Sequence, residues 1–277
     1  MRMAERDGMS QEKRLSLREI LRRKPVLVGC ALDSAVPAFV EMAGRVGFDV
    51  VWLDLEHYRR SPRETEAFCI ACDASGAMPL LRVADASRES ILPALEMGAR
   101  FVVVPMVESA QTARQIVQWG KFAPLGGRGY NGATRGMHYA LESRLPTMDS
   151  ANEQTYLFPQ IESLQGVQNC AEIVGVDGIE GALVGPADLS ISAGMPLDFT
   201  NPAFRALFRS AIQAICGQGK IAAVATAHPD LVDDALDCGA QIILCASDMA
   251  AVREHLKDTY LRHQQLMATK SLVPNNA

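Results

Sequence analysis

The chain alternates eight times between an apolar run of strand length and a segment with helical periodicity. VLVGCAL (26–32) leads into SAVPAFVEMAGRVG, and FDVVWLDLE (48–56) into PRETEAFCIACDASG. MPLLRV (78–83) precedes SRESILPALEMG, and RFVVVPM (100–106) precedes SAQTARQIVQWG. The second half continues with YLFPQIE and SLQGVQNCAEIVG, then GALVG (181–185) and FRALFRSAIQAICGQG. IAAVAT with PDLVDDALDCG, and QIILCAS with DMAAVREHLKDTYLRHQQL, complete the set. The strand runs are continuous in Val, Ile and Leu, with little polar alternation. Strands of that kind are buried on both faces, as in parallel sheets covered by helices. Ser or Asp opens several helical segments, and Gly98, Gly219 and Gly239 close others, the usual chemistry of helix caps. Eight βα units in about 250 residues point to a closed (β/α)8 TIM barrel, with an open doubly wound sheet as the competing arrangement.

The 277 residues are 48% hydrophobic and 21% charged, enough apolar content for a large core and too little charge for disorder. No shift in composition divides the chain. Residues 1–24 read as an extension ending in a short amphipathic helix, LSLREILRR, residues 25–270 as a single barrel, and 271–277 as a polar tail. The one long interruption, 121–154, follows the fourth strand–helix pair. A net charge of −5 with no basic block argues against nucleic-acid binding. No apolar run nears the roughly 20 residues of a membrane span, and MRMAERDGMSQEKR lacks the core of a signal peptide. A soluble, cytoplasmic protein with no membrane partner is expected, its seven cysteines reduced. Cys69 and Cys72 have CxxC spacing, but they lie in a helical segment with no second pair to complete a metal site. They read as core thiols.

In a (β/α)8 barrel the reacting groups sit at the carboxyl ends of the strands. The polar residues there are Asp54, Glu56 and His57 after the second strand, and Arg82 after the third. Gln160 and Glu162 follow the fifth, and Pro186-Ala187-Asp188 the sixth. Glu162 and Asp188, on adjacent strands, suit a hard divalent cation held by one or two carboxylates together with water and substrate. Each also has a plain structural reading, Glu162 in the cap of the next helix and Asp188 capping LSISAG. Lys24 and Lys220 precede strands, and Lys13, Lys121, Lys257 and Lys270 lie outside them, so Schiff-base chemistry has no candidate nucleophile. Thr226-Ala227-His228-Pro229 and Ser247-Asp248 follow the last two strands where a phosphate loop would stand, and an unphosphorylated substrate is expected. Gly127-Arg128-Gly129-Tyr130-Asn131-Gly132 has dinucleotide-loop spacing but no strand before it. Its glycines read as a mobile lid over the site.

FDVVWLDLEH, PLLRV, EMGARFVVVPMVESAQTARQIV, PQIES and LVGPADLS, in that order and spacing, resemble the HpcH/HpaI family of metal-dependent (class II) pyruvate aldolases. The likeness runs from about Val26 to Asp248. It implies a barrel of the phosphoenolpyruvate/pyruvate type. It also implies reversible cleavage of a 4-hydroxy-2-oxo acid or 2-keto-3-deoxy sugar acid to pyruvate and an aldehyde. Residue by residue, the resemblance makes Glu162 and Asp188 the ligands of Mg²⁺, Mn²⁺ or Co²⁺. Arg82 becomes the cation that stabilises the enolate, and His57 the acid–base group, oriented by Asp54. Gln160 becomes a contact for substrate or metal-held water, and the amides of Ala187 and Asp188 hold the pyruvate carboxylate. A homo-oligomer, a hexamer or trimer of dimers, and a small-molecule 2-oxoacid partner are further implications.

That chemistry is physically coherent. Breaking a bond β to a ketone leaves an enolate, and catalysis means stabilising the charge where it develops, which a Lewis acid and a guanidinium both do. Arg128, Arg135 and His138 are candidate lid contacts for the aldehyde half of the substrate. Here the chain departs from the family pattern, with Thr134-Arg135-Gly136-Met137-His138-Tyr139 where Arg is more often followed by Trp, and DLEH for the commoner DGEH. Two alternatives therefore stand beside aldol cleavage. One uses the same metal–enolate core for decarboxylation with carbon–carbon bond formation, as in macrophomate synthase, or for acyl-thioester lyase chemistry. The other is a non-catalytic binding barrel.

Overall fold

The computed structural model describes residues 15–141 and 144–271, so most of the expected extension and all but one residue of the polar tail lie outside them. Eight parallel strands close in sequence order: β1 (Leu27–Ala31), β2 (Val50–Asp54), β3 (Met78–Arg82), β4 (Phe101–Val104), β5 (Tyr156–Ile161), β6 (Gly181–Val184), β7 (Ile221–Ala225) and β8 (Ile242–Ser247). β8 pairs back onto β1, which completes the barrel. Around it run α2 (Pro37–Val46), α3 (Pro62–Ser75), α4 (Arg88–Glu96), α5 (Ala110–Gly120), α7 (Leu164–Gln168), α8 (Cys170–Val174), α10 (Pro202–Gly217) and α11 (Pro229–Asp237). Each strand run read from the sequence is a strand, and the open-sheet alternative falls. The helix expected over 163–175 is instead two short ones, α7 and α8, meeting at Asn169. Ser61, Ser87, Ser109 and Ser163 accept hydrogen bonds from first-turn amides of α3, α4, α5 and α7, which fixes where those helices begin.

Successive strand side chains point to opposite faces, and this divides the core in two. Val51, Leu53, Leu81, Val102, Leu157 and Val184 face outward and pack beneath the helices. Val50, Trp52, Met78, Leu80, Phe101, Tyr156, Phe158 and Leu183 fill the barrel interior. The amino end of that interior is plugged by α1 (Leu17–Arg23), whose Leu17 and Leu21 join the inner cluster. Ser16 and Glu19 form a reciprocal capping box that starts α1. Cys69 and Cys72 are buried on α3, where burial first of all pushes the Cys69 thiol up to about 12 and the Cys72 thiol higher still.

The interruption at 121–154 does not cover the mouth of its own barrel. It leaves the carboxyl end of α5 and enters the amino end of β5, so both its ends are tied to the barrel face opposite the reacting one. Lys121 is fully buried there, its Nζ donating to Asn152 O, Thr155 O and Glu180 Oε1 at 2.8, 2.5 and 2.6 Å. The segment holds a turn at Arg135–Ala140 and the helix α6 (Arg144–Gln154), neither of which was expected. Gly136 packs so tightly on Leu95 O at the end of α4 that an added Cβ would stand 2.1 Å away. Two elements remain: α9 (Pro186–Ser192), directly after β6, and α12 (Asp248–Ser271), which is largely exposed. No helix among the described residues is long and apolar enough to cross a membrane.

Candidate active site

The two-residue period of the strands decides which polar groups enter the barrel mouth. The inward series Val50, Trp52 on β2 continues to Asp54, and Met78, Leu80 on β3 to Arg82. Tyr156 and Phe158 on β5 continue to Gln160 and then Glu162. Asp54 and Arg82 are register neighbours on adjacent strands. They form a two-pronged ion pair, with Arg82 Nε donating to Oδ1 at 2.9 Å and Nη2 to Oδ2 at 2.7 Å. Arg82 Nη1 lies 3.0 Å from Glu56 Oε2, and the guanidinium sits over the Trp52 ring, 4.9 Å from its centre. Burial alone would lower the Arg82 pKa, but the Asp54 hydrogen bonds and the charges of Asp54, Glu56 and Glu162 carry it above the ordinary value. The cation is held rigid and permanently charged.

Asp54 thus orients Arg82, and the expected Asp54–His57 partnership is not formed. The other bond to Asp54 comes from the Glu56 amide, 3.0 Å from Oδ1. The chain has left β2 by this point, and His57 stands at the mouth with 62% of its side chain exposed. Its Nε2 is 3.7 Å from Glu56 Oε2. Glu56 therefore stands between Arg82 and His57, a bridging position that a motif of the form DLEH does not disclose.

Glu162 is 2% exposed. Its Oε1 accepts from the Met106 amide at 2.8 Å, and its Oε2 from Gln160 Nε2. Burial first, then the charges of Asp188 and Glu56, push its carboxyl up to about 7 against the opposing Met106 bond and Arg82 charge. Asp188 lies in the first turn of α9, on the exposed side of the mouth. The amides of Ala187 and Asp188 precede the first helical hydrogen bond, Leu189 N to Gly185 O at 3.2 Å, and so carry no helical acceptor.

The donor set can be tested against a metal. A buried carboxylate raised by a neighbouring carboxylate is one that a cation would relieve, and Gln160 Oε1 is buried without a hydrogen-bond partner beside it. Among the described residues no group of three or more His, Cys, Asp or Glu is arranged to hold a metal ion. Two carboxylates with open positions fit Mg²⁺-like ions that keep water and substrate ligands, and they do not fit a structural zinc.

Gly185 makes the arrangement possible. It occupies the next inward position after Leu183, where an added Cβ would meet Glu162 Oε2 at 2.8 Å and Gln160 Nε2 at 2.9 Å. Gly185→Ala is expected to displace both side chains and cost about 10²-fold in turnover, with circular dichroism unchanged. Steady-state kinetics on the folded variant checks this.

Of the residues read from the sequence, Asp54, Arg82, Gln160, Glu162, Ala187 and Asp188 share the mouth, with His57 at its edge. Arg128, Arg135 and His138 are not brought there. Arg135 is tied to Asp73 at the carboxyl end of α3, its Nη2 2.5 Å from Oδ2, on the opposite face of the barrel. Sequence reading passed over Gly185, Trp52 and the Met106 amide, although counting inward positions along β2 and β6 would have marked the first two.

The comparisons with known proteins converge on one family. Residues 27–254 match the model of the HpcH/HpaI aldolase/citrate lyase family. A hydroxypyruvate/pyruvate aldolase of Roseobacter denitrificans is 32% identical over 237 residues, 85% of this chain and 91% of that protein. A 2-keto-3-deoxy-L-rhamnonate aldolase of Escherichia coli (strain K12) is 30% identical over 232 residues, 83% and 86% of the two chains. The crystal structure of an HpcH/HpaI aldolase from Desulfitobacterium hafniense superposes with a TM-score of 0.83 at 24% identity, covering 95% of this chain and 99% of that one. The chain belongs to the HpcH/HpaI aldolase/citrate lyase family and is a carbon–carbon lyase.

Proposed function

We propose that the protein catalyses reversible retro-aldol cleavage of a 4-hydroxy-2-oxo acid or 2-keto-3-deoxy sugar acid, giving pyruvate and an aldehyde. The observation that carries this reading is the rigid Arg82 guanidinium held beside the Glu162–Asp188 carboxylate pair at the barrel mouth. Glu162 and Asp188 would hold a divalent ion, Mg²⁺, Mn²⁺ or Co²⁺, which would supply Lewis-acid stabilisation of developing negative charge. Arg82 presents fixed N–H donors to the oxyanion that develops on the substrate, oriented in advance by Asp54 and Glu56. The Ala187 and Asp188 amides hold the substrate carboxylate, and Gln160 positions both Glu162 and the substrate. His57, free to move at the mouth beside Glu56, carries the proton of the 4-hydroxyl between substrate and water.

The names of the two curated relatives, both aldolases of small oxo acids, support the substrate class. The test is a panel of 4-hydroxy-2-oxo acids and 2-keto-3-deoxy sugar acids, with pyruvate release followed by coupled reduction. Failure to release pyruvate from any of them with any of the three metals would contradict the proposal. His57→Asn is expected to slow cleavage by about 10²–10⁴-fold while metal affinity stays at the wild-type value, measured calorimetrically.

The protein is also proposed to work as a homo-oligomer, a hexamer. Met249, Val252, Leu256 and Tyr260 recur at three- and four-residue spacing along α12 and are exposed. An apolar stripe of that kind on a helix is stabilised by packing against a second surface. Light scattering is expected to give a multiple of the 30.0 kDa chain mass, and truncation before Met249 to give a monomer.

A further inference from the structure

At the amino end of the barrel, between the 121–154 segment and the starts of β4 and β5, lies a cavity of about 370 Å³. That volume falls within the roughly 300–1,000 Å³ of small-molecule sites. Arg100, Arg128, Arg135 and His138 line it, together with Asp73 and Gln154. Among the described lining residues, three guanidinium groups stand against one carboxylate, so positive charge predominates.

Arg128 is the telling residue. It is only 7% exposed, and its Nε is buried with no hydrogen-bond partner among the described residues. Its guanidinium rests on the Phe122 ring at 4.7 Å, and Glu96 reaches it only as a distant charge. Burial pushes its pKa down to about 10, the mark of a cation short of counter-charge. Buried guanidinium groups are normally paired with a carboxylate or phosphate, because an unpaired buried charge is costly. The Nε atoms of Arg100 and Arg135 are likewise buried without a partner. Arg100 Nη2 donates to the Tyr156 hydroxyl at 2.9 Å, and Arg135 Nη2 to Asp73. Along the rim, His138, Tyr139 and Ala140 hold left-handed backbone at φ 52°, 56° and 55°, a strained run for residues other than glycine.

We propose that this cavity is a second ligand site, taking a small doubly charged anion of phosphate-ester or dicarboxylate chemistry, bound by Arg128 with Arg100 and Arg135. The site lies at the end of the barrel away from Glu162 and Asp188 and is independent of the reaction carried out there.

Calorimetric titration of the full-length protein with inorganic phosphate, glycerol phosphate and succinate tests it. Saturable binding of at least one of them at one site per chain is expected, and which of them binds distinguishes the phosphate source from the carboxylate source. Arg128→Met should weaken that binding by about 30-fold or more while cleavage activity without the anion stays unchanged. The same variant should melt no lower than the wild type in anion-free buffer, since it removes an unpartnered buried charge. Arg135→Met gives a second reading should Arg128→Met fail to fold. Absence of saturable binding by all three anions would overturn the proposal. So would binding that survives Arg128→Met and Arg135→Met but is lost in Arg82→Gln, which would place the anion at the catalytic end.

Discussion

Glu162→Ala and Asp188→Ala are each expected to lower pyruvate formation by about 10³-fold or more, because each removes half of the charge that holds the Lewis acid. Calorimetry should show metal binding lost in both variants, with the barrel still folded. Glu162 also sets a pH dependence. With its carboxyl near 7 in the metal-free protein, a proton competes with the cation. Apparent metal affinity at pH 6 should therefore be about tenfold weaker than at pH 8. The sign for stability runs the other way. A folded-state pKa raised above the ordinary 4.5 means the metal-free fold binds this proton more tightly than the unfolded chain. Its contribution to stability is full below pH 4.5 and is lost as pH rises through about 7. Glu162→Gln should flatten that part of the metal-free melting profile.

Arg82→Ala is expected to cost about 10²–10³-fold in turnover from the loss of donors to the developing enolate. It should also destabilise the fold by about 3–5 kcal/mol, because Asp54 is left buried without its cation. Arg82→Lys separates the two effects. It keeps the charge near Asp54, and so much of the stability, but it cannot reproduce the fork that bonds Asp54 while presenting donors to substrate. Activity in Arg82→Lys should stay low while the denaturation midpoint recovers. Equal recovery of both would mean that only the charge matters.

The strands were legible because barrel strands buried on both faces are apolar along their length, and each run ended where packing ended. Glu162 stood out for that reason, as did Arg82 and Asp54. Pairing was not legible. Asp54 meets Arg82 because β2 and β3 align those two residues, and register is a property of two strands that neither motif contains. His57 was joined to Asp54 by proximity in sequence, whereas the turn after β2 carries it outward. The glycines at 127, 129 and 132 suggested a lid, but chain direction decides such a segment's place. A connection from a helix to the next strand begins and ends at the amino face, and this one stays there, packed on α4. The break between α7 and α8 and the presence of α6 left no clear periodic signal.

The most direct measurement is exchange of the pyruvate methyl protons in D₂O. Protein stripped with chelator and reloaded with Mg²⁺, Mn²⁺ or Co²⁺ would be followed by proton resonance. Exchange should appear only with metal, vanish in Glu162→Ala, and fall sharply in Arg82→Ala. Folded protein that binds metal and yet exchanges no methyl proton with any of the three ions would contradict enolate chemistry at this site.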